Sequence, residues 1–110
     1  MAIESVHQAL NQQLELTSTM LQVLEQEQSA LANRAADQLV ALAEQKQQLL
    51  ESLQQIDGQI KQQLAGQPLP AELDELKQQV QTQLATCMQQ NTVNGKAIEM
   101  SLGSLNRLQN

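Results

Sequence analysis

The chain has 110 residues, a formal net charge of −6 from 12 acidic and 6 basic side chains, and no Phe, Trp or Tyr. That length folds around one core, and the missing aromatics exclude a base-stacking platform and an aromatic cage. One His and one Cys are too few for a zinc site or a Cys–His nucleophile, so the sequence reads as a non-enzyme with no cofactor and no metal.

Glutamine occurs 23 times, whereas Gly and Pro together occur 6 times. Strong helix formers fill the chain and strand formers are scarce, which predicts an all-α protein. From the start, Ile3, Val6, Leu10, Leu14, Thr17, Leu21, Leu24, Gln28 and Leu31 recur at alternating steps of three and four. Only Thr17 and Gln28 break the apolar seam, so one long amphipathic helix is expected over about 3–32. Asn33-Arg34-Ala35-Ala36-Asp37 follows, with Asn33 and Asp37 as candidate cap or turn residues. A continuous helix would strand its seam in water unless it dimerised, so a reversal is favoured here. The second seam is Leu39, Leu42, Lys46, Leu49, Leu53, Ile56, Ile60 and Leu64, predicting a helix over about 36–65. Gly66 with Pro68 and Pro70 ends it. A third helix is expected over about 70–108, opening at Pro70 or Ala71 with Glu72, Asp74 and Glu75 against its positive end. Its seam is Leu73, Leu76, Val80, Leu84, Cys87, Asn91, Asn94, Ile98, Leu102, Leu105 and Leu108. The expected architecture is a single domain over residues 1–110, an antiparallel three-helix bundle. In it a long hairpin packs on a longer third helix that projects beyond it, with Leu24, Leu53 and Leu84 in the core.

The six cations, Arg34, Lys46, Lys61, Lys77, Lys96 and Arg107, stand singly along the chain. Phosphate neutralisation needs them clustered, so no nucleic acid is expected as a partner. An acidic chain is also repelled by anionic membranes. Met1-Ala2-Ile3-Glu4 does not begin a signal peptide, and no run approaches the length of a membrane helix. With one cysteine and no internal disulfide, a cytoplasmic location is expected.

Three features invite a chemical reading and have a plainer one. Glu4-x-x-His7 has di-iron spacing, but such sites need a second copy and two more glutamates, so an exposed His is expected. Cys87, on the seam with no cation near it in sequence, reads as a small buried hydrophobe. The glutamine runs at 45–48, 54–55 and 78–83 alternate with leucines and read as a solvated helix face. More informative is Asn91-Thr92-Val93-Asn94-Gly95-Lys96, where two asparagines occupy consecutive seam positions and a glycine follows in mid-helix. A polar layer that fixes the bundle's register is one reading, with Gly95 admitting a close helix. A hinge between a packed half and a partner-binding half is the other.

These residues resemble the FlgN family of flagellar export chaperones. The resemblance rests on Asn91-x-x-Asn94-Gly95-x-x-Ile98 with Leu102, Leu105 and Leu108. It rests also on Asp37-x-Leu39-x-x-Leu42-x-x-x-Lys46-x-x-Leu49-Leu50-x-x-Leu53 and on Leu24-Glu25-x-Glu27-x-x-Ala30-Leu31. It implies a chaperone that binds the C-terminal helical segments of the hook–filament junction proteins, FlgK and FlgL, and delivers them to the type III export apparatus. Family members usually continue beyond the position of Asn110, so either a chain shortened at its C-terminus or a C-terminal region that works differently is expected. Asn91, Asn94, Gly95, Ile98, Leu102, Leu105 and Leu108 are the candidate residues for a client helix, with Met88 and Met100 as adaptable apolar surface. The alternative is a coiled-coil scaffold with no client, in which the same stripe meets its own copy.

Overall fold

The computed structural model describes the backbone of residues 2–109 and the side chains of residues 3–98. Three helices follow in order: α1 (Ala2–Ala32), α2 (Ala36–Leu64) and α3 (Asp74–Gln109), the last preceded by a 3₁₀ turn at Ala71–Leu73. The architecture is an all-α bundle drawn out to 60 × 20 × 19 Å, as the composition predicts. Among the described residues no helix is long and apolar enough to cross a membrane.

The reversal after α1 is a Schellman motif. Arg34 takes the left-handed conformation (φ 55°), Ala35 N–H donates to the Ala30 carbonyl at 2.9 Å, and Arg34 N–H donates to the Leu31 carbonyl at 3.2 Å. Asn33, expected as a cap or turn residue, lies in the turn; Asp37 does not cap. Ala35 occupies the N-cap of α2 without a side-chain bond, and Asp37 lies in the first turn. The last carbonyls of α1 are satisfied by the backbone N–H groups of the turn. α2 ends on a second left-handed pair, Ala65 (φ 51°) and Gly66 (φ 81°). Pro68 and Pro70 then keep the chain extended, and α3 proper begins at Asp74 rather than at Pro70 or Ala71. The single 3₁₀ turn between them is closed by Leu73 N–H on the Pro70 carbonyl at 2.9 Å.

α1 is the central element. It packs closely along both α2 and α3, whereas the backbones of α2 and α3 scarcely approach each other. The α1–α2 pair is antiparallel: Lys46 meets Glu27, and Val23, Ala30, Leu42 and Leu49 share one cluster. The α1–α3 pair is parallel: Thr17 meets Gln83 and Cys87, and residues 24 and 27 meet Asn94. Packing on two sides changes what α1 buries. Ala9, Gln13, Met20, Val23, Glu27 and Ala30 are buried besides the expected Val6, Leu10, Thr17 and Leu24. Gln28, expected on the seam, is exposed, and Glu27 takes the inward position. On α2 the buried residues are Leu42, Leu53 and Ile60.

The parallel register also places the end of α3. Paired residues of α1 and α3 differ by 65 to 70 in number. The end of α1 at Ala32 is therefore level with residues at about 97 to 102 of α3, and the α3 backbone continues to Gln109. At roughly 1.5 Å per residue its last turns run about 10 Å or more past the hairpin turn.

Candidate functional site

A polar layer crosses the bundle near the hairpin end. α1 turns Glu27 inward, where only 1% of its surface is exposed, and a carboxylate so placed must find donors. It has two. Lys46 of α2 places Nζ 2.8 Å from Glu27 Oε2 and 3.1 Å from Oε1. Asn94 of α3 donates from Nδ2 to Oε1 at 3.0 Å and also to the Leu24 carbonyl at 3.0 Å. Two further bonds finish the layer: Lys46 Nζ donates to Asn91 Oδ1 at 2.8 Å, and Gln90 Nε2 donates to Asn94 Oδ1 at 2.9 Å. Among the described residues no buried side-chain polar atom lacks a partner, so the layer is fully satisfied.

Two turns towards the other end lies a second set of bonds. Thr17 Oγ1 stands 2.6 Å from Gln83 Oε1 and 2.9 Å from the Leu14 carbonyl, sharing its hydroxyl proton between them. The Cys87 thiol donates to the Thr17 carbonyl at 3.4 Å. Burial raises the Cys87 pKa above 9.0, partly opposed by its backbone hydrogen bond, so the thiol is neutral and unreactive at neutral pH.

Between α2 and α3 the bundle is open. A cavity of about 240 Å³ is floored by Met20 of α1 and walled by Ala43, Gln47 and Leu50 of α2 and by Leu84, Cys87 and Met88 of α3. Lys46 and Asn91 also line it, and their hydrogen bond spans it. Leu50 and Met88 are 41% and 64% exposed, which is high for large apolar side chains. Leu84, expected in the core, is half-buried on this wall, because α2 does not close against it.

The candidate residues fall in different settings. Asn94 is buried and its amide is committed to α1, whereas Asn91 is exposed apart from its bond to Lys46. The two asparagines therefore meet different surroundings: Asn94, like Val80 and Cys87, is buried, whereas Asn91 lies with Leu84 on the gap beside α2. Gly95 is half-buried, but a Cβ built on it meets nothing within 4 Å, so within this chain no helix approaches it closely. Ile98 is half-buried. The side chains of Leu102, Leu105, Leu108 and Met100 lie outside the described residues. His7 is exposed, with the Asn11 amide nitrogen 3.4 Å from its ring. Sequence reasoning missed Glu27 as an inward group, although Lys46 on an apolar seam signalled that an acid had to face it.

The fold and these surfaces define a small helical bundle with a partly apolar gap between α2 and α3 and a third helix whose backbone runs past the hairpin. The FlgN protein family matches residues 1–110, the whole chain, and the chain belongs to that family. Membership gives it the general role of a chaperone in flagellar protein export, in a family of chaperones that are not known as enzymes. Neither a characterised protein nor a solved structure matches the chain.

Proposed function

We propose that the protein acts in the cytoplasm on hook–filament junction proteins of the FlgK and FlgL kind. It holds their C-terminal helical segments, keeps these from associating early, and hands them to the type III export apparatus. The client helix lies along Asn91, Gly95, Ile98, Leu102, Leu105 and Leu108, with Asn94 acting from inside by fixing α3 on α1.

One observation carries this reading. Ile98, Leu102, Leu105 and Leu108 continue the spacing of Val80, Cys87 and Asn94, which α1 covers. The cover ends with α1 at Ala32, while α3 runs on to Gln109. An apolar stripe that outlasts its cover suits helix-in-groove recognition, where anchors at helical spacing supply the contact. The test is calorimetric titration of the C-terminal helical segment of a junction protein into wild type and into Leu102→Asp/Leu105→Asp. A carboxylate forced into an apolar contact must protonate or stay unpaired, so binding is expected to vanish with the helical signal intact. Full affinity in the folded variant would refute the site. Loss of helicity or of self-association instead would favour the client-free scaffold.

A further inference from the structure

Polar bonds are divided unequally among the three helices. α1 and α3 share several: Thr17 and Ser18 with Gln83, Cys87 with the Thr17 carbonyl, and Asn94 with the Leu24 carbonyl and Glu27. Among the described residues α2 reaches the other helices through one polar side chain, Lys46, which bonds Glu27 of α1 and Asn91 of α3. The rest of its inner face is aliphatic, and aliphatic burial attracts without direction. Lys46 is also placed where α2 and α3 do not pack, since its bond to Asn91 spans the cavity between them. An ion pair this buried (18% and 1% exposed) returns little net stability after desolvation, so its weight falls on placement. α2 is entered through the left-handed Arg34, and its far half is anchored by Ile56, Ile60 and Leu64 in the cluster with Val6, Leu10, Leu73 and Val80.

We propose that Lys46 is a strap. It holds the hairpin-end half of α2 in register on α1 and α3, and undoing it lets that half swing out, widening the gap at Met20, Leu50, Leu84 and Met88. Ile60 keeps the far half in the cluster of Val6, Leu10, Leu73 and Val80. This is separate from the client stripe on the last turns of α3 and stands whatever that stripe binds.

The single thiol of the chain reports on the motion, because Cys87 is 3% exposed and lines the same gap. Two variants are needed. Lys46→Met keeps the aliphatic stem and removes the ammonium. Lys46→Met/Glu27→Gln also removes the unpaired carboxylate, while leaving an amide oxygen for Asn94 to bond. The full chain is labelled with an aromatic disulfide reagent at fixed pH, and amide exchange is followed helix by helix in the same samples. The expected result in the double variant is Cys87 labelling at least tenfold faster. Amides of the hairpin-end half of α2 should lose protection by a similar factor, while those at 17–27 and 80–94 keep theirs. An equal loss in all three helices would mean that Lys46 only adds global stability, and would overturn the proposal. Unchanged exchange in that half of α2 would overturn it as well. Should Lys46→Met alone fail to fold, the double variant decides.

Discussion

Asn91 and Asn94 are the same residue type three positions apart, and their setting predicts very different costs of truncation. Asn94→Ala removes a bond from a neutral donor to the buried Glu27 carboxylate, a second one to the Leu24 carbonyl and a part-buried one accepted from Gln90. A bond to a charged group contributes about 1.5–3 kcal/mol and a neutral one about 0.5–1.5. Glu27 keeps Lys46, so no bare carboxylate remains, and a loss of about 3 kcal/mol is expected. For a chain of this size that lowers Tm by about 12 °C or more. Asn91→Ala removes one bond, to Lys46, from an exposed residue, and about 0.5–1 kcal/mol is expected. With no Trp or Tyr to follow, urea unfolding is monitored by far-ultraviolet circular dichroism, with a common m-value as the check that only stability has changed. Equal losses for the two variants would refute the inward and outward assignment, as would a loss below about 1 kcal/mol for Asn94→Ala.

Leu24 is fully buried and Leu84 half-buried on the gap, so Leu24→Ala should cost about 3–4 kcal/mol and Leu84→Ala about half that in the same titrations. Gly95→Ala meets no neighbour and should stabilise the helix by about 0.5–1 kcal/mol. If a client backbone approaches there, calorimetry will show weaker binding to this more stable variant, and unchanged binding would remove Gly95 from the contact. Cys87 holds its proton more tightly folded than unfolded. Its contribution is therefore complete below the unfolded value near 9.0 and is lost as pH rises through the folded one. Thermal melts across that range should fall more steeply for wild type than for Cys87→Ala; parallel curves would contradict the burial argument.

How much of this is legible in the sequence differs from helix to helix. α2 packs chiefly on α1 through a single stripe, and Leu42, Leu53 and Ile60 are all on it. α1 packs on two, and a one-stripe reading therefore passes over Met20, Val23 and Ala30 and keeps Gln28, which is exposed. Glu27 was hidden for a related reason: a carboxylate turns inward only when a cation waits there, and the cation belongs to another helix. Antiparallel geometry could have paired them. Residues facing across the hairpin have numbers that sum to a near-constant value; 27 and 46 sum to 73, and the cluster of Val23 and Ala30 with Leu42 and Leu49 fits a value close to it. The gap between α2 and α3 leaves no mark in either seam, because each helix is patterned for α1. Of the candidate client stripe, the part up to Ile98 can be placed, and it divides between Asn94 inside and Asn91 outside.

The opposite directions of α2 and α3 along α1 have a consequence for how the chain assembles. In the hairpin, the loop closed by each α1–α2 contact lengthens steadily away from Arg34, so pairs can form in sequence from the turn outward. Between parallel helices there is no such gradient. Each α1–α3 hydrogen bond joins residues 65 to 70 apart, and every first contact therefore meets nearly the same loop-closure entropy. No pair is favoured as a starting point, and the second contact costs far less than the first. The hairpin can zip, whereas α3 has to dock along its length in one cooperative event, with the hydrogen bonds of Gln83, Cys87 and Asn94 selecting the register at which it lands.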